Sequence, residues 1–348
     1  MRAHSPPFPS KAPHTFSRIA AALTTLALLT ACAPDHRLTA PNKPSIAARE
    51  IDDAGADVGD EVRWSAWSPP QNLGPTINSS SLEQHPAISR DGLSLYFGSN
   101  RAGGKGGVDV YVSQRSSLDA PWGTPVNLGP NINSAGNESA PTFSLDGHRM
   151  YFHSNGRGGC AGADLFVARR HDKRDDFGWG PAENLGCVVN SSSDDNGPTI
   201  FEDDATGITT LYFTSTRPGG PGDYDVYAST RVGDEGEFGP AVLVPELSRP
   251  FRDTRTAISR DGLEMFLSSD SKGRVGGIGS QDLWVSTRPT TLDRWSTPVN
   301  LGAAVNTTAF DGGPALSFDG TTLYFHSDRQ GPSGNYDLWV TTRAKLRK

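Results

Sequence analysis

Five acidic residues recur in this chain at one register, and a ring of carboxylates is the first chemistry the sequence offers. Glu83, Glu138, Asp195 and Asp311 each stand three residues before a proline (Pro86, Pro141, Pro198, Pro314), and Asp253 precedes Thr256, where the proline is lost. A basic residue follows each "LYFxS"-like segment: Arg101, Arg157, Arg217 and Arg329, with Lys272 in the fourth copy. A carboxylate ring could hold a hard cation such as calcium, which takes about six to eight oxygens. Two carboxylates of such a ring could also serve as the acid and the base or nucleophile that cleave a glycosidic bond. Internal pairing of acid with base fits the same positions, because a repeated geometry repeats its ion pairs. Two further polar positions recur and read as structural: an Asp that opens a later segment (Asp109, Asp164, Asp225, Asp282, Asp337) and an Arg that closes it (Arg115, Arg170, Arg231, Arg288, Arg343).

The elements that position these residues come in five units. Each opens on an aromatic: Trp67, Trp122, Trp179, Phe238 and Trp295, at spacings of 55, 57, 59 and 57 residues. Four of the five continue as "PxNLG" or a near variant. A Pro-led strand, an "S-x-DG" turn, the "LYFxS" strand, a Gly-rich loop and a strand such as "DVYVSQR" (109–115) then follow. Asp-Gly suits a two-residue hairpin turn, since glycine accepts positive φ without steric cost. Aromatic and β-branched residues suit packed strands, and the intervening Gly and Pro exclude long helices. One four-stranded sheet cannot bury both of its apolar faces alone, but radially stacked copies can. The expected fold is therefore all-β, a five-bladed propeller with four antiparallel strands per blade. No outer strand follows the fifth unit and an extra one stands at the front. The strand near 67–74 should therefore complete the last blade and close the ring. The propeller is expected over 64–343, with 344–348 as a tail.

The repeat "P-x-x-S-x-DG-x-x-LYF-x-S-x-R-x-GG … D-hydrophobic-Y/W" resembles the PD40 repeat, the WD40-like β-propeller repeat of TolB-type periplasmic proteins. The resemblance covers about residues 64–343. It implies a propeller scaffold, with no single activity attached to it.

Departures from the repeat carry the rest. Cys160 lies in the Gly-rich loop of the second unit, and Cys187 follows "NLG" where other units have Pro75, Pro130 or Ala303. Both fall on one face of the expected propeller, and an exported chain meets an oxidising compartment, so a disulfide between them is expected. His85, His153 and His326 are also irregular, the last two in the slot after "LYF"; they read as satisfied buried histidines. The segment "PELSRPFRDTR" (245–255) replaces "NLGxxxN" and adds Arg249, Arg252 and Arg255, a candidate contact for an anionic ligand or partner. No G-x-S-x-G nucleophile motif is present.

The N-terminal segment reads as a leader. Arg2, Lys11 and Arg18 precede the short apolar run 19–31, which ends in "LTAC" at Cys32. This resembles the lipobox of bacterial lipoproteins, which implies lipidation at Cys32, export, and an outer-membrane anchor facing the periplasm or the surface. Residues 33–63, rich in Pro, Ala and Asp, read as a disordered tether. The chain carries a formal net charge of −7. An acidic chain cannot release counterions from a phosphate backbone, so nucleic acid is not expected as a partner.

The loop entering each inner strand and the Gly-rich loop share one face, which should gather the five acids and their Arg or Lys around the channel mouth. Two functions follow. The first is a non-catalytic, monomeric, lipid-anchored scaffold that binds an envelope protein or cell-wall glycan, requiring no cofactor and touching the membrane only through its lipid. The second is a glycan-active enzyme with carboxylates at the channel mouth. The near-complete repetition of polar groups favours the first, because catalysis needs one group whose surroundings differ from its neighbours'.

Overall fold

A computed structural model describes residues 63–346, apart from 234 and 332–334. The expectations for 1–32, for Cys32 and for nearly all of the tether lie outside the described residues. Five four-stranded antiparallel sheets are present. Their inner strands are Glu83–Ile88, Glu138–Phe143, Asp195–Asp203, Asp253–Ile258 and Asp311–Leu316. In the first four blades the order is sequential, from inner strand to a two-residue outer strand. In the fifth, the outer strand is Gln71–Asn72, which pairs with Asp337–Thr342 through Gln71 opposite Val340 and Asn72 opposite Trp339. The ring is thus closed by the N-terminal strand, as its position in the sequence implied. A second tie was not foreseen: Arg63–Trp64 pairs with Lys345–Leu346, so the expected tail carries a strand.

The "LYF" positions bury the blades against one another. Tyr96, Phe97, Tyr151, Phe152, Phe213, Phe266 and Phe325 are all nearly inaccessible. One apolar cluster combines Tyr96 and Val112 of the first blade with Met150, Phe152 and Trp179 of the second. The closing arginines lie over the aromatic that opens the following unit. Arg115 sits 4.3 Å from the ring centre of Trp122, Arg170 4.3 Å from Trp179, Arg231 4.8 Å from Phe238, Arg288 4.3 Å from Trp295 and Arg343 4.7 Å from Trp67. This explains both recurrences at once, since a guanidinium over an indole face gains electrostatic attraction and shields apolar surface.

Two local features differ from the sequence expectation. The Asp-Gly turn is not a two-residue turn. In the first blade the Ser89 amide donates to the Ser94 carbonyl at 2.9 Å and the Gly92 amide to the Ser89 carbonyl at 2.9 Å, which leaves a four-residue connection. Gly92 takes the left-handed conformation there, at φ 74°. The Ser of "S-x-DG" caps the connection, bonding Asp91 at 2.6 Å while accepting from the Ser94 amide at 2.9 Å. Second, every inner strand carries a bulge two residues after its acid. The bulged residues are His85, Ala140, Gly197, Arg255 and Gly313, with φ of 48°, 57°, 58°, 35° and 64°. Three of these are non-glycine residues with β-carbons in a strained region, and all five sit where the inner strands converge on the axis.

Candidate functional site

The five acids lie where the topology requires, at the entrance of the inner strands, and all five are fully buried. Each is held by internal donors. Glu83 accepts from the Ser79 amide and hydroxyl at 2.9 and 2.7 Å, from Ser99 at 3.0 Å and from Arg101 at 3.0 Å. Asp195 takes Ser191 and Arg217, the latter at 2.6 Å, and Asp311 takes Thr307, Ser327 and Arg329. In the fourth blade the partner of Asp253 is Arg274 at 2.8 Å, not Lys272. Burial raises the Asp253 carboxyl above its usual range, against the opposing pull of Arg274. Glu138 departs from the pattern: Ser134 and Ser154 hold it through neutral donors. Arg157 instead donates to the carbonyls of Pro130 and Asn131 at 3.3 and 3.1 Å.

These clusters lie in separate blades, and among the described residues no three His, Cys, Asp or Glu side chains gather to hold a metal ion. The third-strand acids fold their own loops. Asp282, for example, accepts from the amides of Ile278 and Gly279 at 2.6 and 3.0 Å and from Asn300 at 3.0 Å. The disulfide Cys160–Cys187 is formed, joining the Gly-rich loop of the second blade to the segment after its outer strand.

The three arginines of 245–255 do not form one cluster. The Arg249 amide caps Asp253 at 2.5 Å. Arg252 is exposed and lies 5.0 Å from the ring centre of Tyr224. Arg255 is buried on the axis, where its bulge turns it into the channel. It crosses to the second and third blades, donating to the carbonyls of Ala140 at 2.7 Å, Pro141 at 2.9 Å and Pro198 at 3.4 Å.

The three irregular histidines occupy the same stretch of channel. His85 stands 4.9 Å from His326 and 6.3 Å from His153, ring centre to ring centre. His85 Nδ1 bonds Ser139 at 3.0 Å. Glycine at 313 makes the room: a β-carbon there would fall 2.3 Å from His326 Nδ1. Burial, and then the Arg255 charge, lower His153 and His326 to about 3, so both rings are neutral. His85 is lowered by burial, His326, Arg255 and His153. Neutral imidazoles and one guanidinium thus fill the middle of the channel.

On the Gly-rich-loop side of this plug, His326 stacks on Phe310 at 5.4 Å and meets Tyr336 edge-on at 5.1 Å. The other side is open. A cavity of about 160 Å³ lies on the axis at the Asp-Gly-turn face, with Arg255 and Thr256 in its wall. It is ringed by the second residue of the four "S-x-DG" motifs, Arg90, Leu145, Arg260 and Phe318, and by Glu202 at the equivalent place in the third blade, where Phe201-Glu202-Asp203-Asp204 replaces the motif. A cleft of about 530 Å³ adjoins it through Arg90, Leu145 and Glu202, and is lined also by Asp146, Asp203 and Asp204. Glu202 accepts from the Leu145 amide at 3.0 Å. The Thr291 hydroxyl, first among several donors, holds Asp203 below the usual carboxylate range. Asp146 is also low: burial would raise it, but bonds from Ser144 and His148 and the nearby Arg149 outweigh that. The guanidinium of Arg90 lies 4.4 Å from the Phe318 ring centre, and that of Arg260 5.9 Å from it while pairing with Asp204.

This ring was legible and was missed. Five equivalent turn positions carry four different side chains, with only Arg repeated, so no scaffold rule chooses them.

Comparison with solved structures finds the same architecture in glycan-active proteins. An α-L-arabinofuranosidase from Podospora anserina, solved with cellotriose, matches with a TM-score of 0.51 and 12% identity, over 82% of this chain and 97% of that one. A glycoside hydrolase of the GH43_12 group from a capybara gut metagenome matches at 0.53 and 13%, over 84% and 60%. An N-acetylgalactosamine deacetylase from F. plautii, solved with blood group B trisaccharide, matches at 0.52 and 13%, over 81% and 95%. No protein-family model matches the chain, and no curated protein does. The expectation of a non-catalytic scaffold is corrected by these findings. All three of these neighbours are named as glycan-active enzymes, two of them glycoside hydrolases. The uniformity on which the scaffold reading rested also breaks down on the axis, in the ring from Arg90 to Phe318.

Proposed function

We propose that the protein is a glycan-active enzyme that takes its sugar at the axial cavity of the Asp-Gly-turn face. The observation that carries this is the ring of Arg90, Leu145, Glu202, Arg260 and Phe318, where the five-fold repetition gives way to unlike side chains around an open cavity. Phe318 offers an apolar ring beside cationic and carboxylate groups, the mixture that a sugar with apolar faces and hydroxyl edges requires. Hydrolysis of a glycosidic bond needs a proton for the leaving oxygen and a carboxylate across the ring to activate water or attack the anomeric carbon. Glu202, shared by cavity and cleft, supplies one of these, and Asp203 or Asp146, both held ionised, supplies the other. A PD40-like propeller exported on a lipobox leader, carrying this site in the cell envelope with a cell-wall or environmental glycan as substrate, completes the proposal.

The test is release of reducing ends or monosaccharides from a panel of neutral and acidic plant and cell-wall polysaccharides. Wild type should cleave at least one of them. Glu202→Gln should lower that rate at least a hundredfold, while Asp311→Asn on the opposite face lowers it only as far as it lowers folded protein. A chain that cleaves nothing, or a Glu202→Gln variant with full activity, removes the reading.

A further inference from the structure

We propose that the sugar taken at this cavity is acidic, a hexuronate-type residue whose carboxylate enters the axial cavity toward Arg255 and Thr256 while its ring lies on Phe318 between Arg90 and Arg260. This rests on the assignment of the cavity as the glycan site and names its substrate class.

Three observations carry it. Arg255 is 4% exposed, and among the described residues its charge meets carbonyl oxygens and no carboxylate. Its Nε has no partner among them. A buried cation without a counter-charge is costly, and an anionic ligand relieves that cost when it binds. Next to it, Thr256 replaces the proline found at Pro86, Pro141, Pro198 and Pro314. Thr256 is 1% exposed, lines the same cavity, and its hydroxyl is likewise without a partner among the described residues. The one blade that drops the proline therefore contributes two consecutive residues with unsatisfied donors to the wall of one cavity, and a carboxylate has two acceptor oxygens to offer them. Finally, Arg90 and Arg260 stand at the rim of a chain that is acidic overall. Arg260 shares its charge with Asp204 in a largely exposed pair, which a ligand anion can displace. Arg90 is exposed, and no ion-pair partner is seen for it among the described residues.

Calorimetric titration of the full chain with galacturonate and glucuronate, against galactose and glucose, tests this. The uronates should bind at least tenfold more tightly than the matching hexoses, and the difference should shrink as salt rises. Arg90→Gln and Arg260→Gln, both at the rim and remote from the core, should each weaken uronate binding about fivefold or more, and weaken it more than they weaken hexose binding. Arg255→Met should abolish uronate preference; should it fail to fold, Thr256→Val and the rim variants carry the test. Equal affinity for uronate and hexose, or uronate binding indifferent to all four substitutions, overturns the proposal. Cleavage of neutral polysaccharides by a chain that does not prefer uronates sinks the acidic specificity and leaves the glycan-active reading standing. Uronate preference lost in the rim variants, with no polysaccharide cleaved, supports the anion site and sinks the enzyme.

Discussion

Arg255, on the inner strand of the fourth blade, donates a 2.7 Å hydrogen bond across the channel axis to the carbonyl of Ala140 on the second blade. A propeller normally holds its blades through their flat faces, so a contact across the axis is extra to the scaffold. The residues around it are the ones that break the five-fold pattern. Gly197 and Gly313 hold equivalent bulge positions with no side chain, and a β-carbon at Gly197 would stand 3.5 Å from the Arg255 side chain. The space left at Gly313 is taken by His326 of the same blade and by His85 of the first.

The histidines make folding stability fall in acid. His326 is neutral when folded, lowered to about 3 by burial and then by Arg255. In the unfolded chain it titrates near 6.5. A group lowered in the folded state contributes stability above its unfolded value and loses it as pH drops through the interval down to about 3. Each such histidine adds a slope of about 1.4 kcal/mol per pH unit. Urea unfolding between pH 7 and 4 should show this, and His326→Gln should reduce the slope by about that amount.

The five acids should differ on neutralisation. Asp311→Asn leaves Arg329 facing a carboxamide in a buried pair, a loss of about 3–5 kcal/mol. Glu138→Gln breaks no seen ion pair and should cost about 1–2 kcal/mol. Equal losses in chemical denaturation would mean that Arg157 or another cation serves Glu138 in solution.

Removing the disulfide should be felt in the second blade. Cys160 and Cys187 are 27 residues apart, and closing a loop of that length contributes about 3.5 kcal/mol on the chain-entropy model. Cys187→Ser should lower the unfolding midpoint accordingly.

The ring closure should depend on the start of the described chain. Arg343 lies 3.9 Å from the Trp64 ring centre and 4.7 Å from that of Trp67. Trp67 also meets Phe266 edge-on at 5.9 Å. Trp67→Ala should cost about 3 kcal/mol or more in thermal unfolding, because it removes packing between the fourth and fifth blades.

The propeller was readable because its determinants are local and repeated. The "LYF" strands, the unit-opening aromatics and the unpaired front strand each state one pairing, and 71–72 pairs as they required. The acids were readable as positions but not as partners: no spacing rule tells that Arg274 and not Lys272 reaches Asp253. The bulges were not readable, since a positive φ at His85 or Arg255 is imposed by convergence of five strands on one axis and not by the residue itself. Without the bulges, Arg255 appeared to belong with Arg249 and Arg252 in a surface loop. The mouth residues Arg90 to Phe318 were hidden for the opposite reason: four of them lie inside the most regular motif in the chain, at its variable second position, and Glu202 lies in the third unit's degenerate copy.

The most direct measurement is amide hydrogen exchange of the full chain with and without a bound oligosaccharide. The account predicts slower exchange in 87–90, 142–145, 199–204, 256–260 and 315–318, the segments around the axial cavity, with the Gly-rich loops unchanged. Protection confined to the Gly-rich loops, near 100–108, 155–163 and 216–224, would put the glycan on the opposite face and contradict the assignment.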